Sequence, residues 1–187
     1  NAIGAGCGGA VRPVTSDITP PDAAPAVLYA AGDVVIRVNN AGGPPPGVWS
    51  DWTREDFITA LDANMLAPIA LIQACLPGMM ARGWGRVVNI TSQSVRAPIA
   101  QLGLSNSARA GLTGFVAGTA RQVAHAGVCI NNLLPGLHAT DRADALDGAV
   151  VRAEGITLDE ARARRFANIP VGRYGTRAEF GAMCAFL

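Results

Sequence analysis

The sequence has no lysine: all 15 of its Lys-plus-Arg positions are arginine. An amine that sheds its proton near neutral pH is therefore excluded from its chemistry, because a guanidinium stays protonated throughout that range. Histidine is scarce, with two residues, and the four cysteines, Cys7, Cys75, Cys129 and Cys184, contain no CxxC pair. This spacing gives no metal site and suits small buried hydrophobes in a reducing compartment. Net charge is also nearly absent, at +1 with 16% charged residues, which argues against nucleic acid as a partner. Long apolar runs are missing too. Met65 to Leu76 is interrupted by Pro68 and Gln73, short of a bilayer span, so no membrane partner is expected and the cytoplasm is the expected location.

Half of the 187 residues are apolar, enough for one domain with a sizeable core. Short β-branched runs alternate with longer helical patterns. Val11 to Thr15 reads as a weak strand, followed by Asp17 and a proline-rich helix start at Pro20-Pro21. Asp33 to Val38 reads as a strand ending at Asn39-Asn40-Ala41-Gly42. Thr53, with Glu55 and Asp56 behind it, caps a long helix whose Phe57, Leu61, Met65 and Ile69 form a four-residue stripe. Arg86 to Ile90 is a strand ending at Thr91-Ser92. A helix rich in small residues spans Leu104 to Ala126, and Val128 to Leu134 is a strand ending at Pro135-Gly136. A charged helical stretch from Leu158 to Asn168 and a last helix capped by Thr176 complete the chain. This rhythm predicts an α/β fold, a parallel sheet covered on both faces. In such sheets ligands bind beyond the carboxyl ends of the strands, where Asn40, Ser92 and Gly136 would share one crevice.

Five segments, in order, carry a resemblance: Asn39-Asn40-Ala41-Gly42; Asn64 on its helix; Gly85 to Ser92; Pro135-Gly136 with Thr140; and Ile169-Pro170-Val171-Gly172-Arg173. Together they resemble the short-chain dehydrogenase/reductase family, and within it members of the 3-oxoacyl-carrier-protein reductase type. The resemblance implies a Rossmann-like doubly wound sheet and an NADP- or NAD-dependent oxidoreductase acting on a small carbonyl or alcohol substrate. It also implies a homodimer or homotetramer built on the two long helices, through positions such as Ala108, Leu112, Phe115 and Thr119. By the same resemblance Asp17 and Ile18 would meet the adenine end of the cofactor. Asn40, Ala41, Gly42, Ile90, Pro135, Gly136 and Thr140 would line the rest. Ser92 would donate to the substrate carbonyl, and Asn64 would anchor a water.

The pattern then departs from the family. Its tyrosine, thirteen residues after the serine, and its lysine, four further on, are here Ser105 and Arg109. The only tyrosines, Tyr29 and Tyr174, lie elsewhere and lack a lysine four residues on. A tyrosine beside a cation can exchange a proton near neutral pH; a serine hydroxyl is a far weaker acid and reaches less far. Arg109 can keep the cation and fork toward ribose hydroxyls, but it relays no proton. Carbonyl reduction is expected to be impaired, and a nucleotide-binding or regulatory role is the alternative. Bland readings stand beside these. Asn64 could satisfy helix carbonyls, Ser105 and Arg109 could lie on a surface helix, and His138 could be a solvated loop residue or a substitute acid.

Gly4-Ala5-Gly6-Cys7-Gly8-Gly9 spells GxGxxG, but the dinucleotide loop needs a strand before it and a helix after it, and Pro13 opposes that helix. The motif is rejected. The family's first two strands and its last are then missing from the expected sheet, as in a piece of a longer polypeptide.

Overall fold

The computed structural model describes residues 13–187. Three β-branched runs form a parallel sheet: β1 (Ile36–Asn39), β2 (Gly85–Ile90) and β3 (Val128–Leu133), in the order β1-β2-β3. Asn39 pairs with Asn89, and Asn89 with Asn132, so the carboxyl ends of all three strands lie side by side. Among the described residues there are seven α-helices: α1 (Ala23–Ala31), α2 (Arg54–Leu61), α3 (Ala67–Arg82), α4 (Gly103–Val123), α5 (Asp141–Glu154), α6 (Leu158–Phe166) and α7 (Arg177–Phe186).

The core lies between the sheet and helices α3 and α4. Ile72, Met79, Val87, Leu112, Val116 and Val128 are all buried there in one apolar cluster. Gly85 lets α3 approach, since a Cβ on it would fall 2.6 Å from the Met79 side chain. The opposite sheet face is less covered. Ile36 and Val38 keep 57% and 43% of their surface exposed, and a cleft of about 470 Å³ separates them from the last turn of α7.

The expected strand at Val11 to Thr15 does not form over Pro13 to Thr15, and its first two residues lie outside the described part. No described strand lies beside this segment to complete a ladder, and Val14 is left exposed. The glycine motif at Gly4 to Gly9 also lies outside the described residues.

The expected long helix from Thr53 forms through Pro68 and Gln73, although these residues were expected to leave its apolar run short of a bilayer span. A π-helical turn, Asp62–Leu66, joins α2 to α3, so the helical run extends from Arg54 to Arg82 and is long and apolar enough to cross a membrane by length and composition. It nevertheless packs on the sheet, with Leu71, Ile72 and Met79 fully buried. The turn absorbs Pro68, which has no N–H for the carbonyl four residues back. It also shifts the buried face. The stripe Phe57, Leu61, Met65 and Ile69 borders the core, while Ala60, Asn64, Ala67, Leu71 and Cys75 enter it.

Two further expectations change. Helix α5 was not foreseen. On α4, Ala108 and Leu112 are core residues, so the exposed small positions are Ala110, Gly114, Ala117 and Gly118.

Capping boxes start α2, α6 and α7 at Thr53, Thr157 and Thr176. In the last, Glu179 also binds Arg173 at 2.6 Å. The Arg173 guanidinium first, then the Thr176 N–H and hydroxyl, hold the Glu179 carboxyl down to about 2. Because this lies below the ordinary value of 4.5, the cap contributes fully above about pH 4.5 and is lost as pH falls toward 2. Amide exchange across Thr176–Phe180 should therefore accelerate within that window, and Arg173→Gln should move the onset to higher pH. Exchange at the start of α7 that ignores pH from 5 to about 2 would show that the cap contributes nothing.

Candidate functional site

Arg109 organises the crevice at the strand ends. It lies one turn after Ser105 on α4, buried with only 8% of its surface exposed. Its Nε donates to Ser105 Oγ at 3.2 Å, and Nη1 donates to the carbonyls of Ile90 and Thr91 at 2.9 and 3.1 Å. Nη2 donates to the carbonyl of Ala41 at 3.3 Å. The guanidinium therefore ties the end of β2 to the segment after β1. Among the described residues no carboxylate pairs with it. Burial lowers its pKa, and the nearby Arg142 cation lowers it further. The fork expected to face ribose hydroxyls is largely spent on backbone carbonyls, and Ser105 and Arg109 form no surface-helix ion pair.

Both candidate serines keep a hydroxyl hydrogen to give. Ser105 Oγ accepts from Arg109, and Ser92 Oγ accepts from the Ser94 N–H at 3.1 Å at the start of a single 3₁₀ turn, Gln93–Val95. A hydroxyl that accepts at its oxygen can still donate its proton. Asn64 stands in the π turn with 3% exposure, and its side-chain Oδ1 has no hydrogen-bond partner among the described residues. It does not serve as a satisfied buried amide through that oxygen.

Below the crevice, Asn39 Nδ2 donates to Asn89 Oδ1 at 2.8 Å, and Asn89 Nδ2 donates to the Asn131 carbonyl at 3.4 Å. Arg37 Nε donates to Asn39 Oδ1 at 2.7 Å. These bonds fix the strand ends laterally and leave Asn40 exposed above them. A Cβ at Gly42 would meet nothing within 4 Å, whereas one at Gly43 would come within 2.9 Å of Arg142 Nη1. The Pro135 carbonyl accepts from the Gln93 N–H at 3.0 Å, joining the second and third strand ends. Thr140 caps α5, accepting from the Ala143 N–H at 3.3 Å. Asp17 and Ile18 are not joined to these residues by any described hydrogen bond. The exposed Asp17 instead accepts from Thr19 at 2.9 and 2.8 Å, which lowers its pKa.

At Gln93, the residue after Ser92, opens a cavity of about 340 Å³ between Gln93, Leu137 and His138 on one side and Ile169, Val171 and Arg173 on the other. His138 is half-buried at the rim of this cavity. Its ring packs edge-on against Phe180 at 5.2 Å, and its Nδ1 lies 3.3 Å from the Gly136 carbonyl, so that nitrogen carries hydrogen. Tyr174 is committed as well, since its hydroxyl bonds Asp147 at 2.9 Å.

The sequence reading missed Asp147, Arg142 and the asparagine ladder. The first had a signal: Asp141, Asp144 and Asp147 recur every third residue ahead of the arginines at 162, 164 and 165.

Similar proteins share this arrangement of elements. A sequence profile described as short chain dehydrogenase matches residues 2–149. The chain is 36% identical over 163 residues to the acetoacetyl-CoA reductase of Cupriavidus necator, covering 86% of this chain and 61% of that protein. It is 33% identical to a 3-oxoacyl-(acyl-carrier-protein) reductase of Vibrio cholerae, covering 91% of this chain and 67% of the relative. It thus spans roughly three fifths to two thirds of these relatives' length. A crystal structure of an actinorhodin polyketide ketoreductase variant with NADPH superposes with a TM-score of 0.80 at 26% identity, covering 91% of this chain and 68% of that one. L-sorbose reductase from Gluconobacter frateurii, at 23% identity and a TM-score of 0.86, shares the fold, covering 93% of this chain and 68% of that one. With the Asn39-to-Gly42 segment, the Ser92 strand end and the Pro135-Gly136 segment gathered at one end of a parallel sheet, the chain belongs to the short chain dehydrogenase family.

Proposed function

We propose that this chain serves an oxidoreductase that interconverts a small carbonyl compound and its alcohol with NADP(H) or NAD(H), using an altered proton donor. The observation that carries this reading is the Ser105–Arg109 pair, linked through the Thr91 carbonyl to the strand end that bears Ser92. The described residues fit such a cofactor. Gly42 leaves open space for the adenosine ribose beside the Asn40-Ala41 backbone, Ile90, Pro135 and Gly136 line the crevice, Thr140 lies toward the nicotinamide side, and Asp17 and Ile18 are assigned to the adenine end. When bound, the nicotinamide would supply or accept the hydride.

The chain's own residues do the rest. Ser92 donates its hydroxyl hydrogen to the substrate oxygen, where negative charge builds as the carbonyl is reduced. Ser105 stands where a proton must be delivered, but its hydroxyl is too weak an acid to deliver one quickly near neutral pH. Arg109 holds a fixed positive charge beside it and passes no proton. Asn64, with a free Oδ1 in a turn that opens the helix, holds a water from which the proton is drawn. The result is a slow enzyme.

A second reading, a nucleotide-binding or regulatory protein, is favoured by one feature: Arg109 spends its hydrogens on backbone carbonyls. In either case the protein works in the cytoplasm on a small molecule. It assembles as a homodimer or homotetramer through the exposed small face of α4.

Ser105→Tyr with Arg109→Lys should raise kcat on a simple ketone by about 10²-fold, the usual contribution of a positioned acid. A double variant that binds nucleotide but gains no turnover would refute the donor assignment. Arg109→Lys alone should lower stability by about 1–3 kcal/mol, because an ammonium cannot reach carbonyls on both strand ends, and a thermal melt reads this directly. An unchanged melt would show that the clasp carries no load. Sedimentation at micromolar concentration should show a dimer or larger species, and a monomer would remove the α4 interface.

A further inference from the structure

The far wall of the cavity at Gln93 is not part of the sheet. It is a turn, Ile169 to Arg173, that follows α6 and closes through a 2.8 Å bond from the Gly172 N–H to the Ile169 carbonyl, with Gly172 at φ +67°. The turn is anchored at its end. Gly175 bonds Leu137 and Ala139 at 3.0 and 2.9 Å, fixing one side of the chain against the near wall. Tyr174 fixes the other side, its hydroxyl donating between the two carboxylate oxygens of Asp147 on α5, at 2.9 and 3.0 Å.

Asp147 is wholly buried, at 0% exposure. Arg165 Nε lies 2.8 Å from one of its oxygens and Arg162 Nε 3.4 Å from the other, both reaching from α6. The Phe166 ring meets the Tyr174 ring edge-on at 5.0 Å. One buried carboxylate therefore joins α5, α6 and the cavity turn. An apolar side chain of similar volume would fill this space at lower cost than a desolvated charge; what the charge adds is direction, since its partners must stand at set positions to satisfy it. Its hydroxyl partner is the residue that immediately follows the cavity wall.

We infer that Asp147 is a positioning residue: through Tyr174 it holds the turn 169–173 at a fixed distance from Gln93 and His138, and so sets the width of the substrate cavity. This rests on the proposed reading of the cavity as the place where a carbonyl substrate meets Ser92. Neither residue touches the crevice at the strand ends, so nucleotide binding is independent of the clamp.

The test compares the full chain with Tyr174→Phe and Asp147→Asn, using butanone and 2-octanone as probes. Tyr174→Phe deletes only the hydroxyl and keeps the ring on Phe166, so it carries the test alone if Asp147→Asn fails to fold. Removal of the bond should raise KM for the ketone about fivefold, the worth of one hydrogen bond, with kcat and the KM for nucleotide unchanged. Amides of residues 169–174 should exchange faster, while those of β1, β2 and β3 should not. A KM for ketone that stays at the wild-type value, or a parallel loss in kcat and nucleotide binding, overturns the inference. If the unaltered chain reduces neither ketone, the oxidoreductase reading fails by itself and exchange then decides: acceleration confined to 169–174 upholds the clamp, and wild-type rates there reject it.

Discussion

A buried guanidinium with no carboxylate partner among the described residues is the constraint around which the crevice is built. Arg109 is satisfied by carbonyl oxygens, and those oxygens belong to Ala41, Ile90 and Thr91, the backbone that leaves two adjacent strands. Backbone carbonyls are usually spent within secondary structure; here they are free because each strand has just ended. The charge costs desolvation and recovers it only if both strand ends stay in place, so the arginine makes the crevice rigid. Ser105, whose oxygen takes the fourth bond of this guanidinium, is held by the same group.

The clasp gives the missing lysine a physical meaning. A lysine has three donors on a flexible stem and can turn toward a ligand; an arginine has five in a plane and can brace several fixed acceptors at once. Exchanging one for the other at this position keeps the charge and gives up mobility. Tyrosine to serine is the complementary loss, since it withdraws the one group able to trade a proton near neutral pH. In the proposed function, the two differences replace a proton-relay pair by a braced one, with Ser92 as the hydrogen-bond donor to substrate. At the substrate side a second buried charge, Asp147, does for the cavity wall what Arg109 does for the strand ends.

Much of this was legible in the amino-acid order. The strands at Ile36, Gly85 and Val128 follow from β-branched runs closed by asparagine, serine and proline-glycine, and two of the capped helices follow from Thr53 and Thr176. The identity of Arg109 was plain from spacing, but its hydrogen-bond partners were not, because carbonyl acceptors leave no trace in a sequence. The π turn was hidden for a related reason: the stripe Phe57, Leu61, Met65 and Ile69 reads as one regular helix, and the bulge at Asp62–Leu66 shows only once that run packs against α4. The Asp147 cluster lay in a stretch that periodicity alone marks as polar surface, and a buried carboxylate is visible only once α5, α6 and Tyr174 meet. The segment Pro13 to Thr15 failed in the other direction, since strand propensity without a neighbouring strand gives no sheet.

The central claim is that this site binds and orients without a protein group that relays the proton. Single-turnover oxidation of the reduced nucleotide by a ketone, followed from about pH 5 to about pH 10, tests it most directly, because a positioned acid prints its own pKa on the rate. The account predicts a slow rate whose logarithm is flat or falls along one straight line with rising pH. An inflection at an apparent pKa between about 6 and 9, whether or not it is lost in Ser92→Ala or Ser105→Ala, would contradict it.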